Sequence, residues 1–528
     1  MNLSGVQKKS DISTLEKREV VSAMPSDQSG SNLKQKSDRK KLSARVLTEV
    51  FGFGAFRADQ EAVIDVLLEQ KSALLLMPTG MGKSLCYQLP SRVFASQGQG
   101  LTLVISPLIA LMKDQVDAAL KKGLKAAFIN SSLTGEERAS RYRKLAAGDY
   151  ELVYVTPERF RVPEFRESLL KNHLALLAID EAHCISSWGH DFRPDYSRLG
   201  DYREELGRPT TLALTATATP EVQADILKQL HLDVASTAVF NRGVLRPNLA
   251  LRVIDVSGGD EKIRAVVALR HQRPGAAIVY FSLIQSLRKF SDEISRLGIP
   301  HLTYHGQMND RERRRSQDEF LKSSDGLILA TPAFGLGVDK ENIRLVVHAE
   351  MPGSVEAYYQ EVGRAGRDGK PAECVLLFDQ DDISIQADFL NWSNPDPGFI
   401  RATYNLISRN LLQAQQQGFD YLRTQMNFYN RRDFRVETAV GLLERWGSIE
   451  GRQPREWKPI IDPPDEFLDL KLYDARLKGQ KRKLLQMEEF VQMQTGCRMQ
   501  YVARYFGFTD EARCGICDLC LKEKEGAM

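Results

Sequence analysis

Cysteine is scarce, with seven in 528 residues, and no apolar run approaches the roughly 18 residues that a membrane-spanning helix needs. The best runs, Leu174 to Ile179 and Leu74 to Met77, are the size of strands. The segment Met1 to Thr14 lacks the apolar core of a signal peptide, so a soluble, intracellular chain is expected. Charge of one sign is lacking too: 72 Lys and Arg stand against 69 Asp and Glu, a net +3. Composition alone therefore gives no argument for a polyanionic partner. What remains is 42% hydrophobic and 27% charged, which excludes a wholly disordered chain, a collagen-like one and a small disulfide scaffold. The length predicts roughly three or four domains.

The cysteines are unevenly placed. Cys86, Cys184 and Cys374 are scattered, whereas Cys497, Cys514, Cys517 and Cys520 fall together. In a reducing compartment such a cluster points to metal before it points to cross-links. The other end differs. Residues 1–45 carry ten Lys or Arg against five Asp or Glu and have no hydrophobic periodicity, which predicts a disordered basic tail.

From about Leu47 to Phe378 short apolar runs alternate with amphipathic stretches, the mark of parallel sheets covered by helices. Six strands are expected in a first α/β domain (residues 46–240) and five in a second (241–382), with Arg242 to Gly259 reading as a linker. Beyond Gln380 the pattern changes, and prolines bracket helical segments. One of these, Val436 to Trp446, runs into Gly447-Ser448-Ile449-Glu450-Gly451, a helix stop, a short strand and a turn. That pattern fits a winged-helix module and a helical packing insert equally well.

Met77-Pro78-Thr79-Gly80-Met81-Gly82-Lys83-Ser84 follows a strand and opens a helix. Its glycines let backbone N–H groups close around phosphates, Lys83 can reach the outer phosphates, and Ser84 can bind magnesium. Met77 replaces the first glycine of the general phosphate-loop pattern. Asp180-Glu181-Ala182-His183 ends the run Leu176 to Ile179, placing two carboxylates at the carboxyl edge of the same sheet. Asp180 suits magnesium, and Glu181 suits activation of an attacking water. The spacing of Cys497 from Cys514-Gly515-Ile516-Cys517-Asp518-Leu519-Cys520 matches tetrahedral zinc, and four thiolates leave no open position, so the site is structural.

The run from Asp180 to Tyr196 resembles the DEAH box and aromatic-rich loop of RecQ-family superfamily-2 helicases. The resemblance covers about Leu47 to Asp381 and resumes near Asp474. It implies two tandem RecA-like domains and a helical zinc-binding module (473–528); a mainly helical, winged-helix-like insert (383–472) is expected between them. It implies Phe53 stacking on adenine with Arg57 and Gln60 reading the base, although Ala58 and Asp59 depart from the usual Pro-Gly there. Thr79, Gly80 and Gly82 are expected on the phosphates, and Asp339 at the nucleotide. Arg367 is the expected finger on the γ-phosphate, with Arg364 beside it; a guanidinium is permanently charged and shaped for phosphate. Ser106, Thr156, Trp188, Phe192, Arg193, Thr217 and Thr331 are the implied DNA contacts, and aromatic stacking works with any base sequence.

The implied activity is ATP-, Mg2+- and Zn2+-dependent unwinding of DNA, with 3′-to-5′ movement on single strands, in the bacterial cytoplasm at the nucleoid. Single-stranded and duplex-junction DNA, single-strand-binding proteins and recombination proteins are the implied partners, with no membrane. A DNA-stimulated translocase that unwinds little, and a DNA-binding or annealing module switched by ATP, are the alternatives. In the family the zinc module directly follows the second motor domain and a winged helix comes after it. Here residues 383–472 intervene and eight residues follow Cys520, so the insert is expected to supply the strand-separating surface.

Overall fold

The computed structural model describes residues 29–78, 80–107, 109–186, 194–241, 243–335, 340–426, 433–451, 453–509 and 511–526. Two all-parallel sheets dominate it. The first comprises β1 (Ala73–Leu76), β2 (Leu101–Ile105), β3 (Ala126–Ile129), β4 (Leu152–Val155), β5 (Leu174–Ile179), β6 (Thr210–Thr215) and β7 (Ala238–Asn241) in the order β3-β4-β2-β5-β6-β1-β7. The second comprises β8 (Leu249–Asp255), β9 (Ala276–Tyr280), β10 (Leu302–Tyr304), β11 (Leu327–Ala330), β12 (Ile343–His348) and β13 (Ala372–Phe378) in the order β10-β11-β9-β12-β13-β8. Both are RecA-like. The central strands β1, β2 and β9 are buried along their whole length, because helices cover both faces of a parallel sheet and leave no side for polar residues. This order sets β1 beside β6, and β6 beside β5, so the chain leaves the sheet on one edge at Met77 and at Asp180.

Two sequence expectations need correction. Residues 29–45 are not a disordered tail: Ser29–Glu49 is a helix. Val46 and Leu47 are buried in the first unit's core, and Arg39 pairs with Asp65 at 3.4 Å and with Glu69. These contacts order a segment whose own composition is too polar to fold alone. The expected linker 242–259 contains β8, which pairs with β13 from Leu249↔Ala372 to Asp255↔Phe378. It is an edge strand with an incompletely buried face, so its apolar signal is weak.

The insert has its own core. Helices Pro397–Arg409, Leu411–Gln417, Phe419–Gln425 and Arg435–Arg445 enclose Ile400, Ile407, Leu422, Val436, Leu443 and the fully buried Trp457. Asp396 caps the first by accepting from the Phe399 N–H, with Pro397 at the position where a missing N–H costs nothing. The last runs into a two-stranded antiparallel sheet of β14 (Ile449–Glu450) and β15 (Lys458–Pro459). Arg161 of the first unit donates from Nη2 to the Arg445 carbonyl at 2.7 Å, where the end of the helix leaves carbonyls unsatisfied. The cysteine-bearing end behaves differently. Met487, Phe490, Met499, Val502 and Cys517 share one core with the second sheet.

Candidate active site and metal centre

A cavity of about 800 Å³ lies between the two sheets. Phe53, Arg57, Gln60, Gly80, Gly82, Lys83, Ser84, Asp180 and Glu181 line it from the first unit, and Arg364 and Arg367 from the second. Eleven residues singled out by sequence thus meet in one space. Thr79, Asp339, Trp188, Phe192 and Arg193 lie outside the described residues.

The phosphate loop is held from two sides. The Gln60 carboxamide donates to the Met81 and Gly82 carbonyls at 3.2 and 3.0 Å, and its own oxygen accepts from the Arg57 N–H at 2.8 Å. Gly80 and Gly82 have φ of +85° and +82°, a region costly for side chains. Each is also crowded. A Cβ on Gly80 would stand 3.0 Å from Cγ of Arg367, and one on Gly82 2.7 Å from Nε2 of Gln60. The stem of Arg367 therefore rests on the loop of the opposite unit. Lys83 Nζ donates to the Met77 carbonyl at 3.2 Å. Phe53 is 44% exposed at the cavity rim, a ring free to stack, with Lys122 Nζ 5.4 Å from its centroid.

At the end of β5, Glu181 takes a left-handed backbone, φ 49° and ψ 48°, and its N–H meets Asp180 Oδ1 at 3.0 Å. Burial and the adjacent Glu181 charge push the Asp180 carboxyl up to about 6, with Lys83 opposing the shift. Two crowded carboxylates beside Ser84 and Lys83 are a donor set for a divalent cation, which relieves their repulsion. His183 Nδ1 lies 3.3 Å from Glu181 Oε2 and 2.9 Å from Thr215 Oγ1. Thr215 Oγ1 in turn donates to the Thr217 carbonyl at 3.2 Å. A continuous polar path therefore joins the carboxylate to the Thr215-Ala216-Thr217 segment.

His183 stood within the motif, but reading for carboxylates passed over its place beside Glu181. The support behind Arg364 had no sequence signal. His348 and Glu361 form a buried pair at 2.7 Å, Tyr280 stacks on His348 at 5.5 Å, and burial pushes the Tyr280 phenol up to about 12.

Among the described residues, the expected DNA contacts do not line the nucleotide cavity. Ser106, Thr156, Thr217 and Thr331 are buried at the carboxyl ends of β2, β4, β6 and β11. Pro107 and Pro332, which follow Ser106 and Thr331, line a second cavity of about 470 Å³ that shares Glu181, Gln360 and Arg364 with the first.

The four clustered cysteines converge. Their sulfurs all lie within 4.8 Å of one another, with Cys497 and Cys514 at 3.5 Å. Bonds of about 2.3 Å in a tetrahedron require sulfurs about 3.8 Å apart, so the set fits zinc. The Cys514 and Cys517 N–H groups point at sulfurs, at 3.3 and 3.4 Å, which favours thiolate. Behind them Arg498 holds Asp518 through two bonds of 2.7 and 2.9 Å and donates to the Phe490 carbonyl at 2.7 Å. Asp518 also accepts from the Val253 N–H on β8 at 3.0 Å, tying the knuckle to the second sheet.

Comparison with known proteins agrees with this geometry. Residues 57–226 match the DEAD/DEAH box helicase family, 261–369 the helicase conserved C-terminal domain, and 466–521 the RecQ zinc-binding family. The ATP-dependent DNA helicase RecQ of Bacillus subtilis is 44% identical over 343 residues, covering 65% of this chain and 57% of that protein. The probable ATP-dependent DNA helicase RecS of the same organism is 41% identical over 344 residues, covering 65% and 68%. The chain spans only 53% to 57% of the three bacterial RecQ proteins it matches. Among solved structures, Saccharomyces cerevisiae Dbp5 bound to RNA has a TM-score of 0.54 at 16% identity, covering 66% of this chain and 91% of that one. The helicase MrfA bound to DNA has 0.53 at 17%, covering 64% and 51%. At such identities these two establish a shared fold.

Proposed function

Because this chain belongs to the RecQ family of superfamily-2 helicases, we propose that it is an ATP-dependent DNA helicase moving 3′ to 5′ on single strands and unwinding duplex in repair or recombination. The observation that carries the reading is Arg367, which comes from the second sheet and rests on Gly80 of the first. A nucleotide in this cavity touches both units, so binding closes them and hydrolysis lets them part. Glu181 accepts the proton of the attacking water, and His183 passes the change in its charge to Thr215 and Thr217. Lys83, Arg364 and Arg367 meet the charge that develops on the phosphates. Magnesium, held by Ser84 and Asp180, supplies further positive charge when bound. Zinc on Cys497, Cys514, Cys517 and Cys520 is structural.

Single-stranded and duplex-junction DNA are the substrates, and single-strand-binding and recombination proteins are partners. The bacterial cytoplasm, at the nucleoid, is the site of action; similarity to bacterial relatives supports this, and among the described residues no helix is long and apolar enough to cross a membrane. The insert supplies the strand-separating surface as a relocated winged helix, a reading supported by its separate core and its helix-then-hairpin order.

Unwinding of 3′-tailed and 5′-tailed duplexes with ATP and magnesium tests the proposal. Displacement of the 3′-tailed substrate alone, lost in Lys83→Ala, is expected. DNA-stimulated ATPase without displacement would replace it with the translocase reading, and unwinding that survives deletion of 395–464 would remove the insert's role.

A further inference from the structure

The helix Leu470–Gln492 links the insert to the zinc-binding cysteines. Between 470 and 486 it carries six cations, Lys471, Arg476, Lys478, Lys481, Arg482 and Lys483, and one acid, Asp474. Two of the cations belong to the packed side: Lys483 pairs with the buried Glu356 at 2.7 Å, and burial lowers the pKa of Arg476. On that side too, Tyr473 donates its hydroxyl to the Asn394 carbonyl at 3.1 Å, and Met487 and Phe490 are buried.

The other four, Lys471, Lys478, Lys481 and Arg482, are exposed. Positions 471, 478 and 482 recur at seven and four residues, so they form one stripe about 16 Å long. Among the described residues none of the four makes an ion pair, and Asp474 on the same face pairs with neither neighbouring lysine. Lys478 faces Lys481 and Arg482 at three and four residues, where like charges oppose helix formation.

An ordinary solvated face mixes its signs. The helix Asp310–Lys322 does so in this same protein, pairing Arg313 with Asp310 and Arg315 with Glu319. The 470–486 stretch forgoes that compensation, and a polyanion laid along it removes the repulsion. The exposed positions of this helix, among them Ala475 and Leu485, include no aromatic ring on which an unpaired base could stack. That suits the phosphates of a duplex and not the bases of a single strand.

We propose that Lys471, Lys478, Lys481 and Arg482 form a sequence-independent docking stripe for the phosphate backbone of duplex DNA. The proposal rests on the helicase reading for its substrate and adds a site outside the nucleotide cleft. The stripe holds the duplex between the insert and the zinc-binding end while the two sheets work on the single strand.

The test is blunt-duplex binding by the full chain, measured by fluorescence anisotropy from low to moderate salt. The fourfold variant K471Q/K478Q/K481Q/R482Q is compared with the parent and with the charge-keeping K471R/K478R/K481R. Each neutralised phosphate contributes about 0.9 to the slope of log affinity against log salt, so the glutamine variant is expected to lose up to about 3.6. The arginine variant keeps the parental slope, and single-strand-stimulated ATPase stays within about twofold in both. An unchanged duplex slope in the glutamine variant overturns the proposal. So does a loss confined to single-stranded DNA, which moves the stripe to the other strand type. A parent chain that hydrolyses no ATP with DNA would sink the helicase reading, while the duplex slope would still judge the stripe.

Discussion

Two glycines one residue apart in the phosphate loop should fail in opposite ways when each becomes alanine. Gly80 and Gly82 share nearly the same backbone, φ +85° and +82°, so the conformational strain of Ala, about 1–2 kcal/mol, is common to both. Their neighbours differ. In Gly80→Ala the new methyl stands 3.0 Å from Arg367 Cγ and 3.3 Å from its Cδ. Carbon atoms prefer about 3.5–4.0 Å, so the arginine stem shifts by roughly 0.5–1 Å. A misplacement of about 1 Å costs on the order of 100-fold in rate, so kcat should fall about 10- to 100-fold with little change in KM for ATP. In Gly82→Ala the methyl meets Gln60 Nε2 at 2.7 Å and displaces the carboxamide that holds the Met81 and Gly82 carbonyls. Loss of two hydrogen bonds at roughly 0.5–1.5 kcal/mol each should raise KM for ATP about 5- to 150-fold while kcat is largely kept. Steady-state ATPase at saturating single-stranded DNA separates the two parameters. A Gly80→Ala enzyme with kcat within twofold of the parent, or two variants impaired in the same parameter, would refute the view that Arg367 reaches the loop at Gly80 and Gln60 at Gly82.

Four further outcomes are expected. The ionised Asp180 that magnesium needs exists only above its raised pKa, so kcat/KM should fall on an acid limb near pH 6, not near the ordinary carboxylate value. The same shift makes the native state bind more protons than the unfolded chain, so this group costs stability as pH rises through about 4 to 6. Asp180→Asn should therefore melt higher than the parent at pH 7 without magnesium, and an unchanged Tm would contradict the crowding. Glu181→Gln should cut ATPase by about 100- to 10,000-fold with DNA affinity retained; near-normal turnover would remove Glu181 as the base. Arg498→Met leaves the half-buried Asp518 without its charged partner and should cost roughly 2 kcal/mol, with faster zinc loss to a chelator measured by metal release. Parental release kinetics would show that Arg498 does not support the cysteine cluster.

Strong local patterns carried most of the expected strands and sites. Leu152–Val155, Leu174–Ile179 and Leu327–Ala330 occur with the expected bounds, because each is an apolar run buried on nearly all sides and flanked by polar turns; Leu302–Tyr304 also occurs as expected, although it is a half-buried edge strand. The cysteine spacing and the Gly-Lys-Ser junction carried the zinc and nucleotide sites for a similar reason, since each is compact in sequence. The other edge elements were harder. β8 and β7 are partly exposed and take their pairing from β13 and β1. The helix Ser29–Glu49 depends on Asp65 and Glu69 of a later helix.

By itself, then, the sequence determined which residues can close around phosphate, carry a proton or bind zinc, because short motifs encode those capacities through residue type and spacing. Only the tertiary structure decided what they touch. It set Arg367 of the second unit on Gly80 of the first, and it joined Glu181 through His183 to Thr215. It built the buried His348–Glu361 pair beside Tyr280 and, among the described residues, left four exposed cations of one helix face without an ion pair. These are relations between residues far apart in the chain, fixed by how two sheets, an insert and a zinc-binding end pack together, and no local spacing specifies that packing.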